Sequence, residues 1–145
     1  MNTLIMTKSL TQTEVAPVRL KYLSHGNAAL FCVLYNEAFC SVDGALVMDD
    51  ESAASLLNDN NKQAGFLMVG GLPVGVFVLD IEDNPAELCA LAICPEFRRN
   101  GYAKQAHMRI ERELLAKGFS KIQLVVGENN KAARQFYASC GYQSL

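Results

Sequence analysis

From residue 18 to residue 23 the chain alternates, with Val18, Leu20 and Tyr22 apolar or aromatic and Arg19 and Lys21 charged. A period of two predicts a half-buried strand. Residues 24–27 offer caps and a turn, and Leu30, Val33, Leu34 and Ala38 then fall on one helical stripe. An acidic loop over 41–50, with Asp43 in it, ends at Asp49 and Asp50; either can cap a short helix through Leu57. Two apolar runs, 65–69 and 74–79, are joined by Gly70-Gly71-Leu72-Pro73 and read as a hairpin. Asp83-Asn84-Pro85 makes another turn before a third strand over 87–93. A helix is predicted from Tyr102 to Lys117, with Ala103, Ala106, Ile110 and Leu114 inward and Gly118 as its stop. Strand 122–126 and helix 130–140 complete the order. Three strands in hairpin style, then helix, strand and helix, predict a mixed α/β sheet with helices on both faces.

This pattern leaves residues 1–16 as a polar N-terminal extension. No repeat, low-complexity tract or linker divides the rest, so residues 1–145 are read as one domain. With 50% hydrophobic and 19% charged residues, the composition is that of a globular protein. No apolar run approaches the ~20 residues that span a bilayer. Leu4-Ile5-Met6 lacks the length and the cleavage site of a secretion signal. The expectation is a cytoplasmic protein with no membrane partner. A net charge of −2, with no Lys/Arg stretch interleaved with aromatics, gives no footprint for nucleic acid. Cys32, Cys40, Cys89, Cys94 and Cys140 form no CxxC pair, and His25 and His107 stand alone. Buried, reduced thiols and no metal site are expected.

Two stretches carry candidate chemistry. In Ile93-Cys94-Pro95-Glu96-Phe97-Arg98-Arg99-Asn100-Gly101-Tyr102-Ala103 a strand ends, Pro95 stops the ladder and a helix opens. A helix N-terminus presents unpaired N–H groups and the positive end of its dipole, which suits phosphate. Gly101 and Ala103 leave room for close approach, while Arg98 and Arg99 add charge suited to a pyrophosphate. A plain capped surface turn would look much the same. The second stretch runs from Asn130 through Ala133, Phe136 and Tyr137 to Gly141 and Tyr142. Asn130 follows a strand, Ala133 and Tyr137 share a helix face, and Gly141 ends the helix. Tyr137 reads equally well as a core aromatic beside Phe136.

Taken together, in this order, spacing and strand–helix context, the two stretches resemble the GNAT superfamily of N-acetyltransferases over roughly residues 18–142. The resemblance implies a mostly antiparallel central sheet flanked by helices, here with shortened C-terminal strands. It also implies acetyl-CoA as co-substrate, an amine acceptor and no metal. The pyrophosphate would lie on the loop formed by Arg98, Arg99, Asn100, Gly101, Tyr102 and Ala103. The backbone of Leu91, Ala92 and Ile93 would pair with the pantetheine arm, and Asn130 would touch it. Tyr137 would be the general acid for the departing thiolate. Glu87, fourteen residues before Gly101, stands at the spacing of the catalytic glutamate in one branch of the family. Asp80 and Glu82 compete with it for the role of base.

The chemistry sets demands on these residues. An alkyl ammonium has a pKa of ~10.4, so freeing the amine at pH 7 costs ~4–5 kcal/mol. A thiolate near ~8.5 takes a proton from an unperturbed phenol at ~2 kcal/mol. The oxyanion needs a donor, for which an N–H near Leu91 is the candidate. The resemblance also raises a difficulty. Relatives continue beyond the Gly-Tyr pair with one or two strands, whereas here three residues follow Tyr142. Strand 122–126 would then be an open apolar edge, which proteins normally cover. Either a homodimer or the Leu4-Ile5-Met6 segment is expected to cover it. Two rival readings follow: a non-catalytic acyl-CoA-binding module, favoured by the missing strands, and a structural or interaction domain.

Overall fold

The computed structural model describes residues 2–11, 17–42 and 44–145. Asp43 of the acidic loop and residues 12–16 of the extension lie outside them. In chain order the described residues form strands β1 (Thr3–Ser9) and β2 (Arg19–Tyr22), then helices α1 (Ala28–Ala38) and α2 (Asp50–Asn58). Strands β3 (Lys62–Val69), β4 (Leu72–Asp80) and β5 (Ala86–Ile93) follow. Helix α3 (Tyr102–Ala116), strand β6 (Lys121–Gly127), helix α4 (Lys131–Ser139) and the two-residue strand β7 (Gln143–Ser144) complete the order. The strands join in one sheet, β2-β3-β4-β5-β6-β1-β7, antiparallel throughout except for the parallel β5–β6 contact. This is the expected mixed, mostly antiparallel sheet.

Helices cover both faces of the central strands, so β4 must be apolar on both. Val74, Phe77 and Leu79 enter one core with Ala106, Ile110 and Leu114 of α3. Val76 and Val78 enter the other with Phe31, Cys32, Leu34 and Ala38 of α1. Burial on both sides explains why 74–79 reads as a continuous apolar run rather than an alternating one. The outer end of α2 is set by Asp49, whose carboxylate accepts from Ser52 N at 2.8 Å.

Two expectations need correction here. The inward stripe of α1 is only half the one the pattern picked out: Leu34 and Ala38 are buried, but Leu30 and Val33 are 48% and 59% exposed. Phe31 turns inward instead and meets Phe66 of β3 edge-on, with ring centroids 5.8 Å apart. In an apolar helix the periodicity does not say which stripe faces the sheet; the largest ring that can fill the space decides. The cysteines also divide. Cys32, Cys94 and Cys140 are buried, but Cys40 and Cys89 are exposed, and all five are free thiols.

The third correction concerns the N-terminus. Residues 3–9 are not an extension but β1, paired antiparallel with β6 from Thr3↔Gly127 to Ser9↔Lys121. Met6 is buried in the α3-side core. β1 is pinned to α3 by Glu111, a fully buried carboxylate. Its Oε1 accepts from Lys8 Nζ at 2.7 Å, and its Oε2 accepts from Thr11 N at 2.8 Å and Thr11 Oγ1 at 3.0 Å. β7 then pairs with the far side of β1 at Met6↔Ser144 and Thr7↔Gln143. Of the two expected covers for the β6 edge, the chain supplies its own. The homodimer drawn from that open edge loses its premise.

Candidate active site

β5 and β6 pair only at Ala86↔Ile122 and Glu87↔Gln123, and beyond these two rungs they part. The other edge of β5 stays on β4, through a register shift that places Leu79 opposite Leu88 and Val78 opposite Ala90. Cys89 is therefore the extra, bulged residue. Past the bulge Cys94 N donates to Val74 O on β4 at 2.8 Å. Antiparallel strands alternate the edge to which successive residues present their backbone groups. Leu91 and Ile93 consequently turn theirs into the wedge between β5 and β6, while Ala92 turns its own toward β4. The Ile93 carbonyl is already taken, accepting from Arg98 Nε at 3.0 Å. Leu91 is thus left with an N–H and a C=O facing the wedge.

The mouth of the wedge is the turn into α3. Pro95–Phe97 makes one short 3₁₀ turn, and the backbone is then left-handed at Arg99 (φ 67°) and at Gly101 (φ 76°). A β-carbon at Gly101 would meet nothing within 4 Å, so the space above it is open. As the N-cap of α3, Gly101 has no side chain with which to satisfy the first-turn N–H groups, and no acidic residue sits in that turn. Those donors remain available to an anion. Arg98 has a different part from the one its charge suggests. Besides its bond to Ile93 O, its Nη2 donates to Ala38 O at 2.9 Å, which straps the loop to both β5 and α1. Asn100 likewise shapes the loop, its Nδ2 donating to Phe97 O at 3.0 Å and Arg98 O at 3.3 Å.

A cavity of about 740 Å³ occupies the wedge. The candidate residues Leu91, Ala92, Ile93, Arg98, Arg99, Gly101, Tyr102, Ala103 and Tyr137 all line it. α4 reaches the cavity with Ala133, Phe136 and Tyr137, which lean on the α3-side core. The Tyr137 hydroxyl has no hydrogen-bond partner among the described residues, and its phenol is pushed up to about 12, by burial first and then by Cys140. Behind it, the Tyr142 ring stands edge-on at 5.5 Å, with its own hydroxyl held by His107 Nε2 at 2.7 Å.

Three candidates stand apart from the cavity wall: Asn100, whose side chain is turned to the loop's own carbonyls, and then Asn130 and Glu87. Asn130 is the N-cap of α4, its Oδ1 accepting from Ala133 N at 3.2 Å. Glu87 sits on the last β5–β6 rung, at the foot of the wedge, with Oε2 3.6 Å from Cys89 Sγ. Of its rivals, Asp80 is ion-paired with Lys62, and Glu82 follows β4 on an exposed turn. The pattern missed Phe39, Ser41 and Val42 at the end of α1, as well as Phe97, Lys104 and Phe136. Phe136 was legible beside Tyr137. The α1 residues were not, because they reach the wedge only through the Arg98 strap.

With this geometry in place, comparison with known proteins gives a consistent answer. Residues 25–142 match the acetyltransferase (GNAT) family. Among solved structures, an acetyltransferase from Thermus thermophilus superposes with a TM-score of 0.70 at 22% identity, covering 92% of this chain and 100% of that one. A ribosomal-protein-alanine N-acetyltransferase from Brucella melitensis biovar Abortus 2308 gives 0.68 at 20% identity, over 84% and 90% of the two chains. AAC(6')-Iy, solved with the bisubstrate analogue CoA-S-monomethyl-acetylneamine, gives 0.67 at 15% identity, over 87% and 90%. At these identities the structural likeness is one of fold.

Proposed function

The chain belongs to the acetyltransferase (GNAT) family, and on that premise we propose that it passes the acetyl group of acetyl-CoA directly to a primary amine bound beside it. The observation that carries this reading is the convergence on one wedge of two donors, the free backbone N–H of Leu91 and the unpartnered hydroxyl of Tyr137.

The residues present fit the co-substrate. Left-handed Arg99 and Gly101, with the uncapped first turn of α3, suit a pyrophosphate. The free edge of β5 at Leu91 suits the amide-bearing arm, which would add to it as a strand does. Acetyl-CoA supplies an activated thioester. In the transfer the amine nitrogen bonds to the carbonyl carbon, the C–S bond breaks and the sulfur leaves as thiolate. Leu91 N–H would donate to the carbonyl oxygen as charge gathers on it.

Tyr137, on the cavity wall, is assigned to the sulfur. With its phenol at about 12, complete transfer of its proton to a thiolate near ~8.5 would cost ~5 kcal/mol. Its work is therefore a hydrogen bond that stabilises the leaving sulfur, with the proton completing its move only as the product departs. Glu87, at the foot of the wedge, is assigned the proton lost by the ammonium, directly or through water. The rival reading of a non-catalytic module drew on missing strands beyond Tyr142, and β1 and β7 now fill that side of the sheet.

Calorimetry with acetyl-CoA and an acetylation assay over an amine panel test the proposal. Tyr137→Phe is expected to lower turnover much more than acetyl-CoA affinity. Gly101→Asp should weaken affinity itself, by placing a carboxylate where phosphate must sit. Wild-type turnover in the first variant would reduce Tyr137 to packing. Wild-type affinity in the second would remove the loop from the cofactor site.

A further inference from the structure

A second cavity, of about 320 Å³, opens on the opposite face of the sheet from α3, between α1, α2 and the floor made by β4 and β5. Its wall is Tyr35, Leu46, Met48, Leu56, Val78 and Ala90, with the hydroxyls of Ser52 and Ser55 at one side and, among the described residues, no charged side chain. We propose that this groove holds the body of the acceptor, and that the acceptor is a primary amine with a single ammonium on a compact apolar body, alkyl or aryl. The inference rests on the acetyl-transfer reading above and adds the substrate class to it.

Position is the first argument. Ala90, in the groove floor, is the neighbour of Leu91, whose backbone N–H faces the wedge. Tyr35 of the groove, on α1, and Phe39 of the wedge, its C-cap, have ring centroids 4.6 Å apart at a tilt of 38°. The segment leaving α1 also serves both cavities, Val42 lining the wedge and Leu46 the groove. An occupant of the groove thus has its reacting end directed along β5 to where the thioester would lie.

The groove wall is also held in place by the protein's own hydrogen bonds. Asn36 of α1 holds Met48 from both sides, its Nδ2 donating to Met48 O at 2.9 Å and its Oδ1 accepting from Met48 N at 2.7 Å. The segment carrying Leu46 is thereby fixed against α1. Leu46 is nonetheless 81% exposed. A bound apolar body would remove that surface from water.

Charge is the third. Ala86 and Leu88 point into the α3-side core, so Glu87 between them turns to the groove's face of the sheet. On that face Lys62 and Asp80 neutralise each other, while Glu87 is in no ion pair among the described residues. One carboxylate matches one ammonium. A polyamine or amino sugar would bring further charges or hydroxyls against Leu46, Met48 and Leu56, with only the Ser52 and Ser55 hydroxyls at one side to pair them. Among the described acidic residues around α2, none lines the groove: Asp49 is engaged as the cap of α2, and Asp50 and Glu51 are exposed on its first turn.

The test is a panel of primary amines with acetyl-CoA: hexylamine and phenethylamine against spermidine, lysine and an aminoglycoside. The apolar amines should be acetylated with kcat/KM about tenfold higher or more, the ratio that ~1.4 kcal/mol of selective burial produces. Leu46→Asp and Ser55→Trp, both at exposed positions, should lower that value about tenfold for phenethylamine and leave calorimetric acetyl-CoA affinity unchanged. A preference for the polycations, or wild-type phenethylamine kinetics in both variants, overturns the groove assignment and leaves acetyl transfer standing. Acetyl-CoA binding with no amine acetylated in either class overturns the transfer reading, and the groove assignment falls with it.

Discussion

His107 is a buried imidazole, 1% exposed, on the inner side of α3. Burial, reinforced by the Lys8 ammonium and only partly opposed by Glu111, lowers its pKa from 6.5 to about 4. The Glu111 carboxylate lies 4.0 Å from Nδ1, while Tyr142 meets Nε2 from the C-terminal side. The native ring is therefore neutral over a range in which the unfolded chain binds a proton. Stability rises with pH wherever the unfolded state holds more protons, so it must fall as pH drops from about 6.5 toward 4. The slope is ~1.36 kcal/mol per pH unit, which gives about 2 kcal/mol between pH 7 and pH 5. For a chain of this size that is a fall of about 4–8 °C in Tm. Glu111 does not confuse this window. Burial raises its pKa, but the Lys8 and Thr11 hydrogen bonds outweigh that and hold it below the usual carboxylate range. Its contribution is present above the unfolded carboxylate pKa and lost only at lower pH. Urea unfolding at pH 5, 6 and 7 should show the loss in the wild type and a nearly flat response in His107→Gln. The absolute stability of the variant does not matter, because the slope is the readout. An equal slope in both proteins, or a flat wild type, would refute the argument.

Three further outcomes follow from the packing. Glu111→Ala strands Lys8 Nζ and the Thr11 N–H beside a buried site and should cost about 3–5 kcal/mol by urea unfolding; a loss under 1 kcal/mol would mean that β1 does not depend on this anchor. Deleting residues 2–10 uncovers the whole edge of β6, and light scattering should then report self-association or aggregation, where a stable monomer would contradict the role given to β1. Gly75→Ala places a β-carbon 2.3 Å from the Ala92 carbonyl, so β4 and β5 must shift; about 1–3 kcal/mol of stability and some acetyl-CoA affinity should be lost together, and wild-type values for both would show that the strands yield freely.

The order of strands and helices from residue 18 to residue 140 follows from local pattern, because each element there has a period, a cap or a stop of its own; the two-residue β7 beyond it does not. The loop from Arg98 to Ala103 and the helix bearing Tyr137 were legible for the same reason: a left-handed glycine, an uncapped helix start and a four-residue repeat are properties of neighbouring residues. What failed was what depends on distant ones. Thr3-Leu4-Ile5-Met6-Thr7-Lys8-Ser9 has no clean alternation, since only Met6 needs full burial. It becomes a strand because β6 offers an edge and Glu111, about a hundred residues away, offers an acceptor. Arg98 reads locally as charge for a phosphate, and only the approach of Ala38 and Ile93 makes it a strap. Asn130 and Glu87 keep their spacing in the chain yet stand off the cavity wall, because a cap and a strand rung hold them there. The acceptor groove is the extreme case. Its wall comes from α1, the segment before α2, α2 itself, β4 and β5, five pieces whose side chains have no reason to meet until the sheet is folded between its helices.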